Sequence, residues 1–288
     1  MASINRDAIF INAGELTALS SSNPLGSYIQ RIYKRRFYIW ADAKAKAFQA
    51  GRDTYLGKAW LIGEPLLTAA LYGSVFGLLL RTSKGIDNFI GYLLIGIMFF
   101  GLLNKTMSSG AGLIRGSKSM LTAFDFPAAI IPLATALRIT LDALPGLILS
   151  ILVAVALQPE KPLHASIIAV VPILFLMILF ATGLLFMTAR LTAFFPDGRI
   201  IIGFLSSAWF FLSGIFYSLQ RYANHPTLFA VLSKNPGYFY VQAIRESVLE
   251  GNWPSLSSWG LMTLTAIGTL AIGFVFFWKA ENRYRDVD

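Results

Sequence analysis

The 288-residue sequence contains no cysteine and only two histidines, His164 and His225. The first absence excludes a disulfide framework, a thiolate nucleophile and a zinc–thiolate site. Both histidines fall in predicted outer loops, and carboxylates are rare inside the apolar runs, so the residue set argues against a metal-dependent membrane enzyme. No GxxxxGK[ST] occurs, which denies this chain the P-loop manner of cradling ATP phosphates. Gly-rich spots such as Gly110-Ala111-Gly112 lack the lysine and the preceding strand. Charge is scarce as well: 14% of residues are charged, against about 25% in a typical soluble domain. Residues 1–27 are polar and Ser-rich without a continuous apolar core, so no cleavable signal peptide is expected there. They read as a cytoplasmic tail, weakly ordered until a partner fixes it. Neither an internal repeat nor a separate soluble domain is visible.

What the chain does have is apolar surface. Hydrophobic residues make up 56% and aromatics 14% of it, and its mean hydropathy is +0.62. A soluble protein this apolar could not cover itself with polar groups. The net charge of +9 does not point to nucleic acid, because the cations sit in loops and flanks beside apolar runs, where they act as topology signals. The pattern predicts an all-α polytopic membrane protein. Its organising stretch is Gly51 to Arg81. From about Ala59 to Leu80 this stretch carries a single charge, Glu64. About 20 residues at roughly 1.5 Å rise cross about 30 Å of hydrocarbon.

Ahead of that run, residues 28–53 predict a helix lying on the membrane surface, within an interface and lead-in region of 28–58. Ile29, Ile32, Tyr33, Phe37, Trp40, Ala43, Ala47 and Phe48 recur at three- and four-residue steps. Arg31, Lys34, Arg35, Asp42, Lys46 and Gln49 take the other side, as suits an interfacial helix. A soluble helix packed on a partner satisfies the same pattern, and both can hold.

Six apolar runs follow, at about 59–80, 88–110, 126–156, 165–189, 200–219 and 259–278. The third contains Pro127, Pro132 and Pro145 and is expected to begin with a short turn or a broken helix. The connection 220–258 is too amphipathic to be structureless, and a helix is expected over Tyr238 to Glu250. The transmembrane domain thus covers 59–278, with a charged tail at 279–288. Six spans put both termini on one side. Counting Lys and Arg gives seventeen on that side and six on the other (Arg81, Lys84, Lys161, Arg221, Lys234 and Arg245), with Arg138 left inside a span. Both termini are therefore expected in the cytoplasm.

Arg138 and Asp142 are the sharpest chemical feature. Four residues apart, they share a helix face, and each costs about 2.5–3.5 kcal/mol at mid-bilayer if unpaired. The pair either fixes helix packing or borders a substrate path. Glu64, about one turn into the first span and just before Pro65, is expected to reach the interface or to pair with a basic residue of the surface helix. Of the many aromatics, most must pack or face lipid. Tyr72, Phe99, Phe100, Phe210 and Tyr217 are the candidates for a pathway, where aromatic faces accept the apolar faces of sugar rings. An active transporter without a P-loop draws its energy from an ion gradient or from another chain. An ion-coupled carrier needs buried carboxylates or broken helices in paired halves, and only Arg138 and Asp142 offer anything of that kind.

Four features together resemble a known family. The lead-in Arg52-Asp53-Thr54-Tyr55-Leu56-Gly57-Lys58-Ala59-Trp60 is followed by Glu64-Pro65-Leu66. A loop after the second span runs into Phe126-Pro127 and Pro132. Asn235-Pro236 precedes Ile244-Arg245 and Gly251 ahead of the last span. The fourth feature is six spans behind a surface helix. In this order the chain resembles the membrane subunit of an ABC-2 type exporter, specifically the polysaccharide-export permeases of the Wzm and teichoic-acid-export group. Thr54 and Tyr55 stand where many relatives have more basic residues.

That resemblance implies a homodimer working with two copies of a separate ABC ATPase, in the plasma membrane. ATP and Mg are then bound by the partner, with no cofactor in this chain. The cargo implied is a lipid-linked polysaccharide of O-antigen, galactan or teichoic-acid type. Docking on the ATPase is expected along Lys44 to Tyr55, through Lys44, Lys46, Arg52, Asp53 and Tyr55, and along Leu113 to Leu121, through Arg115 and Lys118. The segment 223–258 is implied to re-enter the outer leaflet as a helical hairpin. Two other readings stay open: a drug or small-lipid exporter of the same superfamily, and an intramembrane enzyme acting on a polyprenyl-linked sugar.

The topology is testable because the chain has no native cysteine. Cysteine placed at Ser83 is expected to react with an impermeant thiol reagent from outside the cell, and cysteine at Ser117 to stay unlabelled. The reverse pattern overturns the span assignment.

Overall fold

The computed structural model describes residues 24–47, 59–79, 86–162, 164–219 and 224–287. Regular structure among them is helical throughout. Two short helices, α1 (Leu25–Lys34) and α2 (Arg36–Lys46), precede α3 (Trp60–Tyr72), which continues as a wider π-helical stretch, Gly73–Leu79. Then come α4 (Phe89–Ser109), the short α5 (Leu113–Gly116) and α6 (Lys118–Ala123), and the long α7 (Ile130–Ala156). A 3-10 turn at Ala165–Ala169 leads into α8 (Val170–Phe194), followed by α9 (Gly198–Leu212) and α10 (Pro226–Ser233). The chain finishes with α11 (Pro236–Arg245), its π-helical extension Glu246–Glu250, and α12 (Leu256–Trp278).

Among the described residues, four helices are long and apolar enough to cross a membrane: Phe89–Ser109, Ile130–Ala156, Ala165–Phe194 and Leu256–Trp278. The first and fifth apolar runs form shorter apolar helices. The fifth departs from the expected 200–219. Its helix stops at Leu212 because Gly214 takes a positive φ of 62°, in the left-handed region that favours glycine. The expected surface helix over 28–53 is divided at Arg35, whose φ of −96° and ψ of 11° interrupt the ladder, and its portion beyond Ala47 lies outside the described residues. The third run begins with a turn at 126–129 and is then one helix of 27 residues. Pro132 sits in its first turn, where the missing N–H is one that has no intrahelical acceptor anyway. Pro145 is accommodated inside it.

α4 is the central rod. Leu93, Leu94, Ile95, Phe99, Phe100 and Leu103 are all fully buried, because α4 packs against α7, α8 and α11 together. α8 and α12 lie side by side along their length. A side chain at Gly183 would collide with the backbone of Thr269, and one at Gly273 with the carbonyl of Gly183. Small residues at such a crossing let two backbones approach and gain packing that lipid-facing side chains cannot supply.

Connectivity gives the bundle two ends. One carries α1, α2, α5, α6, the turn between α8 and α9, and the C-terminal tail. The other carries the starts of α4 and α12, the α7–α8 connection, and α10 with α11. At the tail end a polar knot joins three distant segments. The Tyr28 hydroxyl donates to Glu281 Oε2 at 2.6 Å, the Ala128 N–H donates to Glu281 Oε1 at 2.7 Å, and the Ala129 N–H donates to the Tyr28 hydroxyl at 3.2 Å. Burial raises the Glu281 carboxyl above its ordinary range, against the lowering effect of those two donors. Beside the knot, Arg31 and Arg285 both reach Asp125, at 3.3 and 3.0 Å. The Arg285 hydrogen bond leads in holding the exposed Asp125 carboxyl below its ordinary value.

Candidate functional site

Arg245 belongs on no surface. The positive-inside count placed it among the outer cations, yet it is 1% exposed. α11 carries it inward on the face of Val241, Ile244 and Val248, all buried. Its Nε donates to the Tyr92 carbonyl at 3.1 Å, Nη1 to the Gly214 carbonyl at 2.9 Å, and Nη2 to the Ile215 carbonyl at 3.1 Å. The guanidinium carbon stands 3.4 Å from the Tyr92 ring centroid, a cation–π contact strengthened by desolvation. The Tyr92 hydroxyl in turn donates to the carbonyls of Gly214, at 3.1 Å, and Tyr217, at 3.0 Å. The carbonyls left free where α9 ends are thus satisfied by one planar fork from α11 and one phenol from α4. Gly96 must lack a side chain because the Arg245 guanidinium occupies that space.

A second tie binds the same elements. Asn235 Oδ1 accepts from the Trp209 indole at 2.6 Å and caps α11 through the Gly237 N–H at 3.0 Å, while Nδ2 donates to the Leu212 carbonyl at 3.1 Å. Asn235-Pro236 and Arg245, noted in the sequence, are therefore the two ends of one clamp on the α9 terminus. The signal for Arg245 was its phase: it lies four residues after Val241 and three before Val248, on an apolar stripe.

Tyr72, Phe100 and Phe210 share a cluster with Phe76 and Phe216: Tyr72 lies 6.2 Å from Phe210 and 5.1 Å from Phe216, and Phe100 lies 5.6 Å from Phe210. Phe99 and Phe100 are fully buried within this chain. Tyr217, half-buried, donates its hydroxyl to the Phe211 carbonyl at 3.2 Å.

The described charged candidates lie toward the tail end. Arg138 and Asp142 form an ion pair at 3.6 Å; the Arg138 side chain is 47% exposed and that of Asp142 only 12%. Arg138 opens on a cleft of about 170 Å³ between α2, α5, α6 and the start of α7, together with Tyr38, Asp42, Lys46 and Ser117. Asp42 and Lys46 pair across one turn at 2.7 Å. Lys46 and Arg138, assigned to separate roles from the sequence, thus border one cleft. Lys44 is exposed beside it, and Lys118 is half-buried in α6. Arg115 Nε donates to the Ala193 carbonyl at 3.0 Å and so fastens α5 to the end of α8. Arg52, Asp53 and Tyr55 lie outside the described residues. Glu64 is exposed. Among the described residues no cluster of His, Asp and Glu has the makings of a metal site.

Comparison with known proteins gives this architecture a context. A family model described as ABC-2 type transporter matches residues 38–249, which takes in most of α2, the cleft, the bundle core and the Arg245 clamp. The O-antigen export system permease protein RfbA of Myxococcus xanthus is 21% identical over 254 residues, which cover 88% of this chain and 94% of that protein.

Replacing Arg245 by Met is expected to remove three hydrogen bonds to buried carbonyls, the Gly214 carbonyl keeping the Tyr92 hydroxyl, at roughly 1.5–3 kcal/mol for each charge-assisted bond lost. Arg245→Lys should rescue little, since an ammonium cannot span the fork. Thermal unfolding of the purified chain measures both. A melting temperature unchanged in the two variants refutes the clamp.

Proposed function

This chain belongs to the ABC-2 type transporter family, and on that premise we propose that it is the permease subunit of an ATP-driven exporter of a lipid-linked polysaccharide. The correspondence that carries the reading is the near end-to-end alignment with an O-antigen export permease, 88% of one chain against 94% of the other. In this reading two copies of the chain work with two copies of a separate ABC ATPase, which binds ATP and Mg. They sit in the plasma membrane with both termini in the cytoplasm, and the cargo moves from the inner to the outer leaflet.

The tail end suits the coupling role. α2 and the α5–α6 pair lie on the cleft that also receives Arg138 of α7. A push on either is passed to α7 by contact, as a rigid-body shift. Lys44, Lys46 and Lys118, and Arg52, Asp53 and Tyr55 beyond them, are the residues we assign to ATPase docking, with Arg115 holding the loop in place. α1 and α2 turn Ile29, Tyr33, Phe37 and Trp40 outward, and Arg36 covers both Tyr33 and Phe37, at 4.3 and 4.4 Å. Exposed aromatics topped by a cation suit the headgroup layer. The Arg138–Asp142 pair is assigned to the inner border of the path, with Tyr72, Phe99, Phe100, Phe210 and Tyr217 shaping the bundle around it.

Depleting the chain in its own cell tests the reading. A lipid-linked glycan is expected to accumulate on the cytoplasmic side while surface glycan falls. Unchanged glycan with an accumulating lipid or drug supports the small-lipid exporter, and an accumulating unmodified polyprenyl-linked sugar supports the enzyme. In the same cells, Lys46→Glu with Lys118→Glu is expected to weaken ATPase assembly or to uncouple ATP hydrolysis from export. Normal assembly and coupling would move the docking surface elsewhere.

A further inference from the structure

At the end opposite the tail lies a cavity of about 430 Å³, within the range of roughly 300–1,000 Å³ usual for small-molecule sites. It is framed by the start of α4, the α7–α8 connection, α10 and α11. Tyr92, one of its walls, is locked from behind by Arg245 and from above by the carbonyls of Gly214 and Tyr217. That wall is therefore rigid. Its other walls alternate flat apolar faces and polar tips: Phe229 and Tyr238 supply rings, and Gln158 and Gln242 supply amides. Gln158 and the Tyr238 hydroxyl make no side-chain hydrogen bond to another described residue, so their donors and acceptors are available in the cavity.

Among the described residues the charges facing this space are of one predominant sign. Asp87, Glu246 and Glu250 line it with one ammonium, Lys161, which pairs with Asp87 at 3.6 Å. Arg245 stands behind the Tyr92 ring, each of its guanidinium nitrogens donating to a carbonyl. Gln242 Nε2 donates to Glu246 Oε1 at 3.1 Å, which holds that carboxylate in place and leaves its other oxygen to accept.

We propose that this cavity is a saccharide subsite on the exit side of the permease, built for a neutral or amino-sugar unit and against an anionic one. Carboxylates and amides accept and donate to adjacent hydroxyls, and hydrogen bonds to an ionised carboxylate are the stronger kind. The rings of Phe229 and Tyr238 take the apolar face of a pyranose. With Asp87 offset by Lys161, repulsion from Glu246 and Glu250 disfavours a phosphate or uronate unit, and discrimination by repulsion works alongside added attraction. The assignment rests on the polysaccharide reading given above. It narrows the cargo classes that reading allows, away from the polyphosphate of a teichoic-acid type.

The experiment uses the full chain with its ATPase in cells. A photoreactive p-benzoylphenylalanine at Phe229 is expected to capture glycan on illumination, whereas the same group at exposed Trp253, outside the cavity, captures none. The captured glycan should be poor in phosphate and uronate. In that background, Glu246→Gln with Glu250→Gln should lower the yield about tenfold, the effect of losing one charge-assisted hydrogen bond. No glycan at Phe229, equal capture at Trp253, or a captured polyanion overturns the assignment. Depletion separates the two levels: glycan that accumulates on depletion but is never captured at Phe229 refutes the subsite and keeps the exporter. Glycan unaffected by depletion refutes the exporter itself.

Discussion

A guanidinium buried without a carboxylate among its described partners holds together the half of this bundle opposite the tail. Arg245 spends its donors on the carbonyls of Tyr92, Gly214 and Ile215 and rests on the Tyr92 ring. Burying a charge is costly unless each donor is satisfied. Arginine suits the task because its fork is planar, rich in donors and more weakly hydrated than an ammonium. The arrangement fixes where α9 stops, how closely α4 approaches through Gly96, and how deeply α11 is drawn into the core. The cavity above Tyr92 inherits its shape from the same contacts.

The tail end obeys the same rule with different groups. Glu281, pushed toward its neutral form by burial, is held by a phenol from α1 and an N–H from the start of α7. α1, the turn before α7 and the tail are thereby one unit. Next to it, the cleft bounded by α2, α5, α6 and Arg138 is lined by opposed charges and is partly open. One end of the molecule is thus closed around polar groups already satisfied by the chain itself. The cleft beside it keeps Lys46 and Arg138 about half exposed, which suits the docking role proposed above.

Sequence reasoning found what repeats locally. The runs that became α4, α7, α8 and α12 were legible because some twenty apolar residues in succession leave few alternatives. It missed the early end of α9, since Gly214 inside an apolar run carries no periodicity signal until its φ is known. It joined α1 and α2 into one helix because the amphipathic pattern continues across Arg35 while the backbone does not. Arg245 was counted as a loop cation because loops and buried clamps use the same residue, and only its phase on α11 distinguishes them. The Tyr28–Glu281 bond and the meeting of Lys46 with Arg138 join residues far apart in the chain, and spacing rules do not reach that far. Arg138 and Asp142 were paired as read, since a four-residue step on one helix is a local fact.

The measurement that bears most directly on the account is transport in proteoliposomes. The chain and its ATPase would be reconstituted together with the lipid-linked glycan that accumulates on depletion, and glycan reaching the opposite face would be scored by a membrane-impermeant lectin. The account predicts movement that requires ATP, both chains and the glycan. ATP-driven movement of a short-chain phospholipid with the glycan left in place would contradict it.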